Sequence, residues 1–178
     1  MKYLIATDIH GSIRWFNELM KAYEREKPDL LVLLGDYYYH GPRNPFPSEY
    51  SPIDVANKII ELGGKVILVK GNCDSEVDEM VTERDFISEY IVESNGKRVL
   101  FTHGHKISAY NPTPIAYDAV INGHYHINDV SEVGVSKYIT IASISLPKDG
   151  HPGSYGVLEK GIVTIKSLDG KDLKKVIL

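Results

Sequence analysis

Residue types that ligate metals are concentrated in five short clusters, and each cluster follows an apolar run of the chain. The clusters are Asp8-Ile9-His10-Gly11, Gly35-Asp36, Gly71-Asn72-Cys73-Asp74, Thr102-His103-Gly104-His105 and Gly123-His124-Tyr125-His126. They contain five of the seven histidines of the chain. Carboxylate, amide and imidazole groups bind divalent metals of intermediate hardness, so the residue types indicate metal chemistry.

The position of each cluster after an apolar run predicts a shared site. Binding sites of α/β sheets form at the carboxyl ends of strands, so five clusters at five strand ends should converge in space. Seven donors exceed the needs of one tetrahedral ion, but they suit two ions that share a ligand. Asp36 is the expected bridge, because it ends the central strand and one carboxylate can serve two ions. Such a pair of ions, about 3.5–4 Å apart, polarises a phosphoryl oxygen and holds a hydroxide.

The elements that must position these clusters alternate in the first half of the chain and are mostly strands in the second. Apolar runs and caps predict strands at 3–7, 30–34 and 65–69, and helices at about 12–26, 52–62 and 75–80. Asn95-Gly96 predicts a hairpin turn between strands at 90–92 and 99–101. Further strands are expected near 120–121, 130–133, 138–142, 157–158, 163–165 and 176–177. This order predicts a single α/β domain over residues 1–178, with two packed sheets and helices outside.

Composition excludes several classes of function. The 178 residues include 20 basic and 24 acidic side chains, for a net charge of −4. No basic stripe is present, so stable nucleic-acid binding is not expected. The chain lacks an apolar run of the about 20 residues that span a bilayer, and it lacks a signal-peptide core. We therefore expect a cytoplasmic protein without membrane association, and the one cysteine excludes an internal disulfide.

The order D-x-H, G-D, G-N, H-x-H and G-H-x-H resembles that of the calcineurin-like metallophosphoesterases over nearly the whole chain. Segments 8–12, 40–44, 71–78 and 154–156 are more specific and resemble the YfcE-type bacterial phosphodiesterases, a branch without large inserted domains. The resemblance implies a four-layer α/β/β/α sandwich, in which two packed mixed sheets have helices outside. It implies a metal-dependent phosphoric diester hydrolase.

The resemblance also implies a ligand set. One metal is held by Asp8, His10, Asp36 and His126, and the other by Asp36, Asn72, His103 and His124. The implied cofactor is two divalent ions per chain, most readily manganese, with iron, zinc, nickel or cobalt as alternatives. The implied reaction is hydrolysis of a small phosphodiester by a metal-bridging hydroxide, in which Asn72 and His105 stabilise the developing charge. His105 has two alternative roles, since it could orient a metal ligand or bond a backbone group.

Two departures from the family pattern affect these expectations. Many members follow the G-N pair with a histidine that protonates the leaving oxygen, whereas this chain has Cys73. A thiol is a poorer general acid than an imidazole at neutral pH, so we expect good leaving groups to be preferred over poor ones and monoester turnover to be weak. Residues 140–143 read Thr-Ile-Ala-Ser where related sequences resemble Asn-Pro-Gly-Ser, in a segment expected to support the site loops.

The long loop at 35–51 supplies the expected substrate contacts. Arg43 is expected to reach the substrate phosphate, because a guanidinium matches the geometry of phosphate oxygens. His40 and Cys73 are assigned to the same role, and a solvated loop or an intersubunit contact is the alternative for His40 and Arg43. Tyr37–Tyr39 could form an aromatic wall, an oligomer contact or part of the core. The segment around Lys148 and His151 is expected to be a surface loop.

Two other functions stay open beside the phosphodiesterase. One is a non-catalytic metal-binding interaction scaffold with the same fold, which need not retain a complete ligand set. The other is a phosphomonoesterase, which relative rates on aryl monoesters and diesters would separate from a diesterase. The expected partner is a small phosphodiester substrate, and the tyrosine-rich loop and exposed strands are compatible with a homo-oligomer.

Overall fold

A computed structural model describes all 178 residues. The helices are α1 (Ile13–Glu26), α2 (Pro52–Leu62) and α3 (Glu76–Thr82), and a 3-10 turn spans Gly63–Lys65. The first five strands are β1 (Lys2–Ala6), β2 (Leu30–Leu33), β3 (Val66–Leu68), β4 (Tyr90–Ser94) and β5 (Lys97–Phe101). The remaining strands are β6 (Ala119–Asn122), β7 (Asp129–Val133), β8 (Ser136–Thr140), β9 (Ser154–Glu159), β10 (Ile162–Ser167) and β11 (Asp172–Ile177).

The strands form two mixed sheets. The larger sheet has six strands in the order β11-β10-β9-β1-β2-β3, with β1, β2 and β3 parallel and the other neighbours antiparallel. The smaller sheet has five strands in the order β4-β5-β6-β8-β7, with β5, β6 and β8 parallel. The predicted hairpin is confirmed as the β4–β5 pair, in which Ser94 is opposite Lys97.

The two sheets pack face to face through a buried apolar layer that includes Ile5 and Val32 from one sheet and Phe101, Ile121 and Ile139 from the other. Helices α1 and α2 cover the outer face of the six-stranded sheet. Phe16, Leu19, Val55 and Ile59 are fully buried there. Each of these side chains removes apolar surface from water, which stabilises the folded state by about 1.5–3 kcal/mol per fully buried residue. The predicted sandwich of two packed mixed sheets is therefore confirmed.

The outer face of the five-stranded sheet has an irregular layer in place of the expected helices. Leu100, Val120 and Tyr138 point to this side, and Tyr117 and Ile107 pack on them from the segment between β5 and β6. That segment contains Pro112 and Pro114. Proline lacks a backbone N–H and disfavours helical angles at the preceding residue, so this stretch covers the sheet without forming a helix.

Local capping explains where the helices begin. The Ser12 hydroxyl accepts a hydrogen bond from the Trp15 N–H, as a helix N-cap does. Helix α2 begins at Pro52 as predicted, but Ser51 makes no capping bond, because its hydroxyl donates to Asp54 instead. The start of α3 is a reciprocal capping box between Ser75 and Asp78. No helix in the structure is both long enough and apolar enough to cross a membrane.

Candidate metal centre

The loops that follow β1, β2, β3, β5 and β6 meet at one edge of the paired sheets. They bring together all seven predicted ligands, which are Asp8, His10, Asp36, Asn72, His103, His124 and His126. Five strands contribute because parallel neighbours end at the same edge of a sheet. The predicted convergence is thus observed, and the seven side chains divide into two groups joined by one carboxylate.

The first group consists of Asp8, His10 and His126, all buried. His10 Nε2 lies 3.2 Å from His126 Nε2 and 3.6 Å from Asp8 Oδ1. His126 Nε2 lies 3.3 Å from the same carboxylate oxygen. Three potential ligand atoms therefore face a common point between β1 and β6.

The second group consists of Asn72, His103 and His124. His103 Nε2 lies 3.0 Å from Asn72 Oδ1 and 3.3 Å from His124 Nδ1. The Asn72 amide nitrogen donates to Cys73 Sγ at 3.3 Å, which turns the amide oxygen toward His103. Here too, three atoms with lone pairs converge.

Asp36 lies between the two groups. Its Oδ2 is 3.8 Å from His10 Nε2, and its Oδ1 is 3.5 Å from His103 Nε2. The Oδ1 atom also accepts a hydrogen bond from the Cys73 N–H at 2.9 Å, which fixes the rotation of the carboxylate. One oxygen of Asp36 thus faces each group.

Backbone carbonyls determine which imidazole nitrogens carry protons. The Nδ1 atoms of His10, His103 and His126 lie 2.7, 2.6 and 2.6 Å from the carbonyl oxygens of Tyr39, Leu34 and Leu146. A carbonyl only accepts, so each Nδ1 carries the proton and each neutral ring has its lone pair on Nε2. The three Nε2 atoms are the ones that point into the centre.

This arrangement fits divalent cations. The facing lone pairs of His10 and His126 repel unless a positive charge lies between them. Asp8 Oδ1 is buried and has no hydrogen-bond partner, although an unsatisfied buried carboxylate oxygen is costly. A cation coordinated by these atoms satisfies both conditions, and oxygen with imidazole nitrogen is a donor set for intermediate metals.

The pKa values of Asp8 and His124 agree with ligands that are deprotonated. Burial alone would raise the pKa of Asp8, but the adjacent imidazoles of His10 and His126 outweigh burial and hold the pKa well below its ordinary value. Burial and the neighbouring His103 lower the pKa of His124 to about 4. For His10, the contacts with Asp8 outweigh burial and raise the pKa. Asp8 is therefore ionised and His124 neutral at pH 7.

The backbone of the site is in an uncommon conformation. Asp8, His10, Asp36, His124 and His126 have positive φ angles of 54°, 49°, 56°, 70° and 63°. The left-handed region costs energy for residues other than glycine, and such strain clusters at functional sites. It lets the chain turn sharply after β1, β2 and β6 while each side chain still points into the centre.

Asp74 supports the site without facing the ligand atoms. Its carboxylate accepts hydrogen bonds from the N–H groups of Asp36, Tyr37 and Gly71 at 2.7–2.9 Å. Burial and the nearby Asp36 raise the pKa of Asp74 to about 6. A Cβ at Gly71 would lie 2.2 Å from Asp36 Oδ1, so glycine is required for this close approach. Asp74 thus holds the loops after β2 and β3 together.

Two serines that follow residues 140–142 also support the site. Ser143 donates a hydrogen bond to the carbonyl oxygen of Asp8 at 2.7 Å, and Ser145 donates to the same oxygen at 3.1 Å. Both serines are buried, and their hydrogen bonds hold the turn at Asp8 in place.

A cavity of about 580 Å³ opens beside the centre. It is lined by Asp36, Gly41, Pro42, Arg43, Asn44, Asn72, Cys73, His124, Tyr125, His126 and Lys148. A second cavity of about 320 Å³ shares Asn72 and has His105 in its wall. The size of the larger cavity is that of a small-molecule binding site.

Residues 1–161 match the calcineurin-like phosphoesterase superfamily domain. The chain is also 35% identical over 175 residues to phosphodiesterase YfcE of Escherichia coli (strain K12), covering 97% of this chain and 95% of the relative. The chain belongs to the calcineurin-like phosphoesterase superfamily. The structure of E. coli YfcE, described as a phosphoesterase, superposes with a TM-score of 0.92 at 34% identity, over 99% of this chain and 98% of that one.

More distant similarities appear in both sequence and structure. Probable metallophosphoesterase YsnB of Bacillus subtilis (strain 168) is 26% identical over 179 residues, covering 95% of this chain and 91% of the relative. Zinc-complexed Vps29 of Entamoeba histolytica superposes with a TM-score of 0.64 at 17% identity, over 99% of this chain and 98% of that one. The family and the Asp/His site together confirm the predicted class of enzyme, a metal-dependent phosphoesterase.

The phosphoesterase places the expected substrate residues in different surroundings. Arg43 and Cys73 line the larger cavity, whereas His40 does not. The His40 ring stacks on Phe46 with centroids 4.2 Å apart and lies edge-on to Tyr50. His105 lies outside the ligand groups, with its ring centroid 5.3 Å from that of His103. Burial and His103 lower the pKa of His105.

The tyrosine run is divided between the core and the surface. Tyr37 is fully buried and donates its hydroxyl proton toward the carbonyl oxygens of Leu33 and Val69, at 3.0 and 2.6 Å. Tyr38 is 5% exposed, so core packing is the role that the structure shows for these two tyrosines. Tyr39 is 44% exposed.

Two contributors to the phosphoesterase site were missed from the sequence. Lys148, predicted only as part of a surface loop, lines the cavity, and its N–H donates to the carbonyl oxygen of His126 at 2.9 Å. Tyr125 lines the same cavity. The position of Tyr125 between two expected ligands could have indicated its role, but no local pattern identifies Lys148.

Proposed function

We propose that this chain is a two-metal phosphodiesterase that hydrolyses a small phosphodiester. The observation that carries the proposal is the position of Asp36, whose two carboxylate oxygens face two separate groups of ligand atoms. A shared carboxylate between two ligand groups is the arrangement that a binuclear centre requires. The name of the curated relative, phosphodiesterase YfcE, supports the same substrate class.

The seven side chains would hold two ions, with Asp8, His10 and His126 on one side of Asp36 and Asn72, His103 and His124 on the other. When bound, divalent ions polarise phosphoryl oxygens and lower the pKa of water toward neutrality. The chain prepares their ligands in advance, because the carbonyl oxygens of Leu34, Tyr39 and Leu146 keep the imidazole protons on Nδ1. Manganese is the ion that we propose first, with iron, zinc, nickel or cobalt as alternatives, because the donor set suits all five.

Residues around the cavity would bind the substrate. The Arg43 guanidinium can donate two parallel hydrogen bonds to phosphate oxygens, and we assign Asn72 and His105 to stabilising the charge that develops on the phosphate. Burial and Asp36 raise the pKa of Cys73 to about 12, so its thiol keeps its proton at neutral pH. A thiol that holds its proton so tightly is a weak general acid, which favours substrates with good leaving groups.

The proposal extends to the organisation of the protein. We assign residues 1–178 to one phosphoesterase domain, because both sheets contribute ligands to the same centre and neither forms the site alone. We also propose a cytoplasmic location, since the one cysteine, Cys73, is a free thiol.

Hydrolysis of bis(p-nitrophenyl) phosphate by metal-stripped protein tests the proposal. We expect Mn²⁺ to restore hydrolysis of this diester. The rate on the diester should exceed the rate on the monoester p-nitrophenyl phosphate. Loss of a residue that only supports a metal ligand typically lowers activity by about 10–100-fold. Because Asn72 is itself a candidate ligand, Asn72→Ala should lower the rate by more than this. Asn17→Ala, at an exposed position of α1, is the matched control and should be fully active. Folded protein that hydrolyses neither substrate with any of the five metals would overturn the proposal.

A further inference from the structure

The larger cavity has an uneven distribution of charge beyond the metal ligands. Apart from the candidate ligands Asp36, His124 and His126, the ionisable side chains in its wall are those of Arg43, Lys148, Cys73 and Tyr125. Asp36 is the only carboxylate in the wall, and it belongs to the centre. The rest of the cavity therefore offers two cations and no acid, although the whole chain carries a net charge of −4.

Both cations are unpaired and exposed. The lysine ion pairs of the chain involve Lys2, Lys21, Lys70, Lys97 and Lys166, and Lys148 is not among them. A lysine with three free donors beside a polar cavity can bind an anion without first breaking an internal contact.

Hydrogen bonds hold the backbone of the two cationic residues near the centre. The Lys148 N–H donates to the carbonyl oxygen of His126, and the His151 N–H donates to the carbonyl oxygen of Lys148 at 3.0 Å, which closes the turn. The turn that carries Arg43 is held by Asn44, whose side chain donates to the carbonyl oxygen of His40 at 2.8 Å. Lys148 is therefore tied to the loop of a candidate ligand.

The neighbouring cavity differs in this respect. Its wall contains the carboxylate of Glu89 together with Lys70 and Lys106, and Lys70 pairs with Glu79 at 3.1 Å. Beyond the candidate ligands, the larger cavity therefore has two cations and no carboxylate, whereas in the smaller cavity the charge of Lys106 is offset by Glu89.

We propose that Lys148 is a specificity residue that binds a second phosphate group on the substrate, so that the preferred substrate is a phosphodiester with a further phosphomonoester on its non-reacting arm. The inference rests on the proposed function and narrows its substrate class. Arg43 is then left for the phosphate that reacts. A volume of about 580 Å³ has room for more than one phosphate.

A matched pair of chromogenic diesters tests this inference. Thymidine 5′-(p-nitrophenyl phosphate) and its 3′-phosphorylated form differ only in the second phosphate. In both, water forms a new P–O bond and p-nitrophenolate leaves with the electron pair of the bond that breaks, while the protons of the water pass to the product phosphate and the solvent. We expect kcat/KM to be at least about tenfold higher for the 3′-phosphorylated substrate, because one charge-assisted hydrogen bond contributes about this factor. The difference should lie in a lower KM, with kcat unchanged.

Variants separate a specific contact from general charge. Lys148→Gln should remove the preference, and Lys148→Arg should retain most of it. Lys174→Gln changes an exposed lysine on β11 that does not line the cavity, and it should keep the full preference. Added salt should reduce the preference in the wild type, because exposed charges are screened within about 10 Å at 0.1 M. A preference that survives Lys148→Gln, or equal kcat/KM values for the two substrates, would overturn the inference.

Product binding distinguishes failure of this inference from failure of the proposed function. Calorimetric titration of Mn²⁺-loaded protein with thymidine 3′,5′-bisphosphate and with thymidine 5′-monophosphate requires no turnover. Tighter binding of the bisphosphate that is lost in Lys148→Gln supports the inference even in a protein with no diesterase activity. Equal binding of both nucleotides overturns it even where both diesters are hydrolysed.

Discussion

Asp36 is the residue on which the two groups of the candidate centre depend. Its Oδ1 is oriented by the Cys73 N–H, and its backbone N–H is held by Asp74. The sequence predicted Asp36 as the bridge because it ends the central strand. It did not predict Asp74, whose carboxylate has the same chemistry as a ligand but faces backbone N–H groups instead.

The backbone conformation of the candidate ligands could not be predicted from the sequence. The positive φ angles of Asp8, His10 and His126 decide where their side chains point, and these angles depend on bonds to residues far along the chain. Ser143, for example, holds the carbonyl oxygen of Asp8 from a distance of 135 residues. Residue type and spacing therefore predicted which candidate ligands come together, whereas the supporting contacts and the position of Lys148 required the folded chain.

Cys73→His tests whether an imidazole at this position can act as a general acid. The side chain lines the cavity beside Asn72, where an imidazole can protonate a leaving oxygen. We expect higher turnover of diesters with poor leaving groups, by up to the about 10²–10⁴-fold that general acids contribute. The measurement is the dependence of kcat on leaving-group pKa, which should become shallower. Slower hydrolysis with every leaving group would instead assign Cys73 to packing or to a metal.

At the scale of elements, the ends of five strands determine where the candidate ligands lie. The loops that follow these strands pack closely against one another. The strands, the hairpin and all three helices were predicted from periodicity and turn residues to within a few positions. The layer outside the five-stranded sheet was not, because segment 103–118 has no regular period and is positioned by the sheet that it covers.

Gly123→Ala tests how closely the β1 and β6 loops must approach. A Cβ at Gly123 would lie 2.0 Å from Thr7 Oγ1 and 2.6 Å from Asp8 Oδ2. We expect a loss of about 1–3 kcal/mol in the free energy of unfolding, typical of overpacking, together with weaker metal binding. Chemical denaturation and metal titration measure the two effects. Gly64→Ala is the control, because a Cβ there meets no atom within 4 Å, and an equal loss in both variants would contradict the expected close approach.

On the scale of the whole molecule, Glu26 joins α1 to the six-stranded sheet far from the centre. Its carboxylate accepts hydrogen bonds from Lys2 on β1, Tyr155 on β9 and Lys166 on β10, at 2.8, 3.0 and 2.9 Å. Burial opposes ionisation, but these three bonds outweigh it and lower the pKa of Glu26 from 4.5 to about 2.

This network predicts a pH dependence of stability that is separate from the metal centre. Because the folded pKa is depressed, the ionised carboxylate stabilises the fold above pH 4.5, and this contribution is lost as the pH falls from 4.5 toward 2. Glu26→Gln should therefore be less stable than the wild type at pH 7, and the difference should shrink toward pH 2. Urea unfolding across this range measures it. A difference that stays constant with pH would contradict the assignment.

The two sheets together provide the centre, so its metal count is a property of the whole molecule. The most direct measurement is an EPR-monitored titration of metal-free protein with Mn²⁺. With Asp36 shared between two groups, the protein should take up about two ions per chain, and the spectrum should show exchange coupling between ions about 3.5–4 Å apart. Uptake of a single ion with an uncoupled six-line spectrum, or no uptake at all, would contradict a binuclear centre bridged by Asp36.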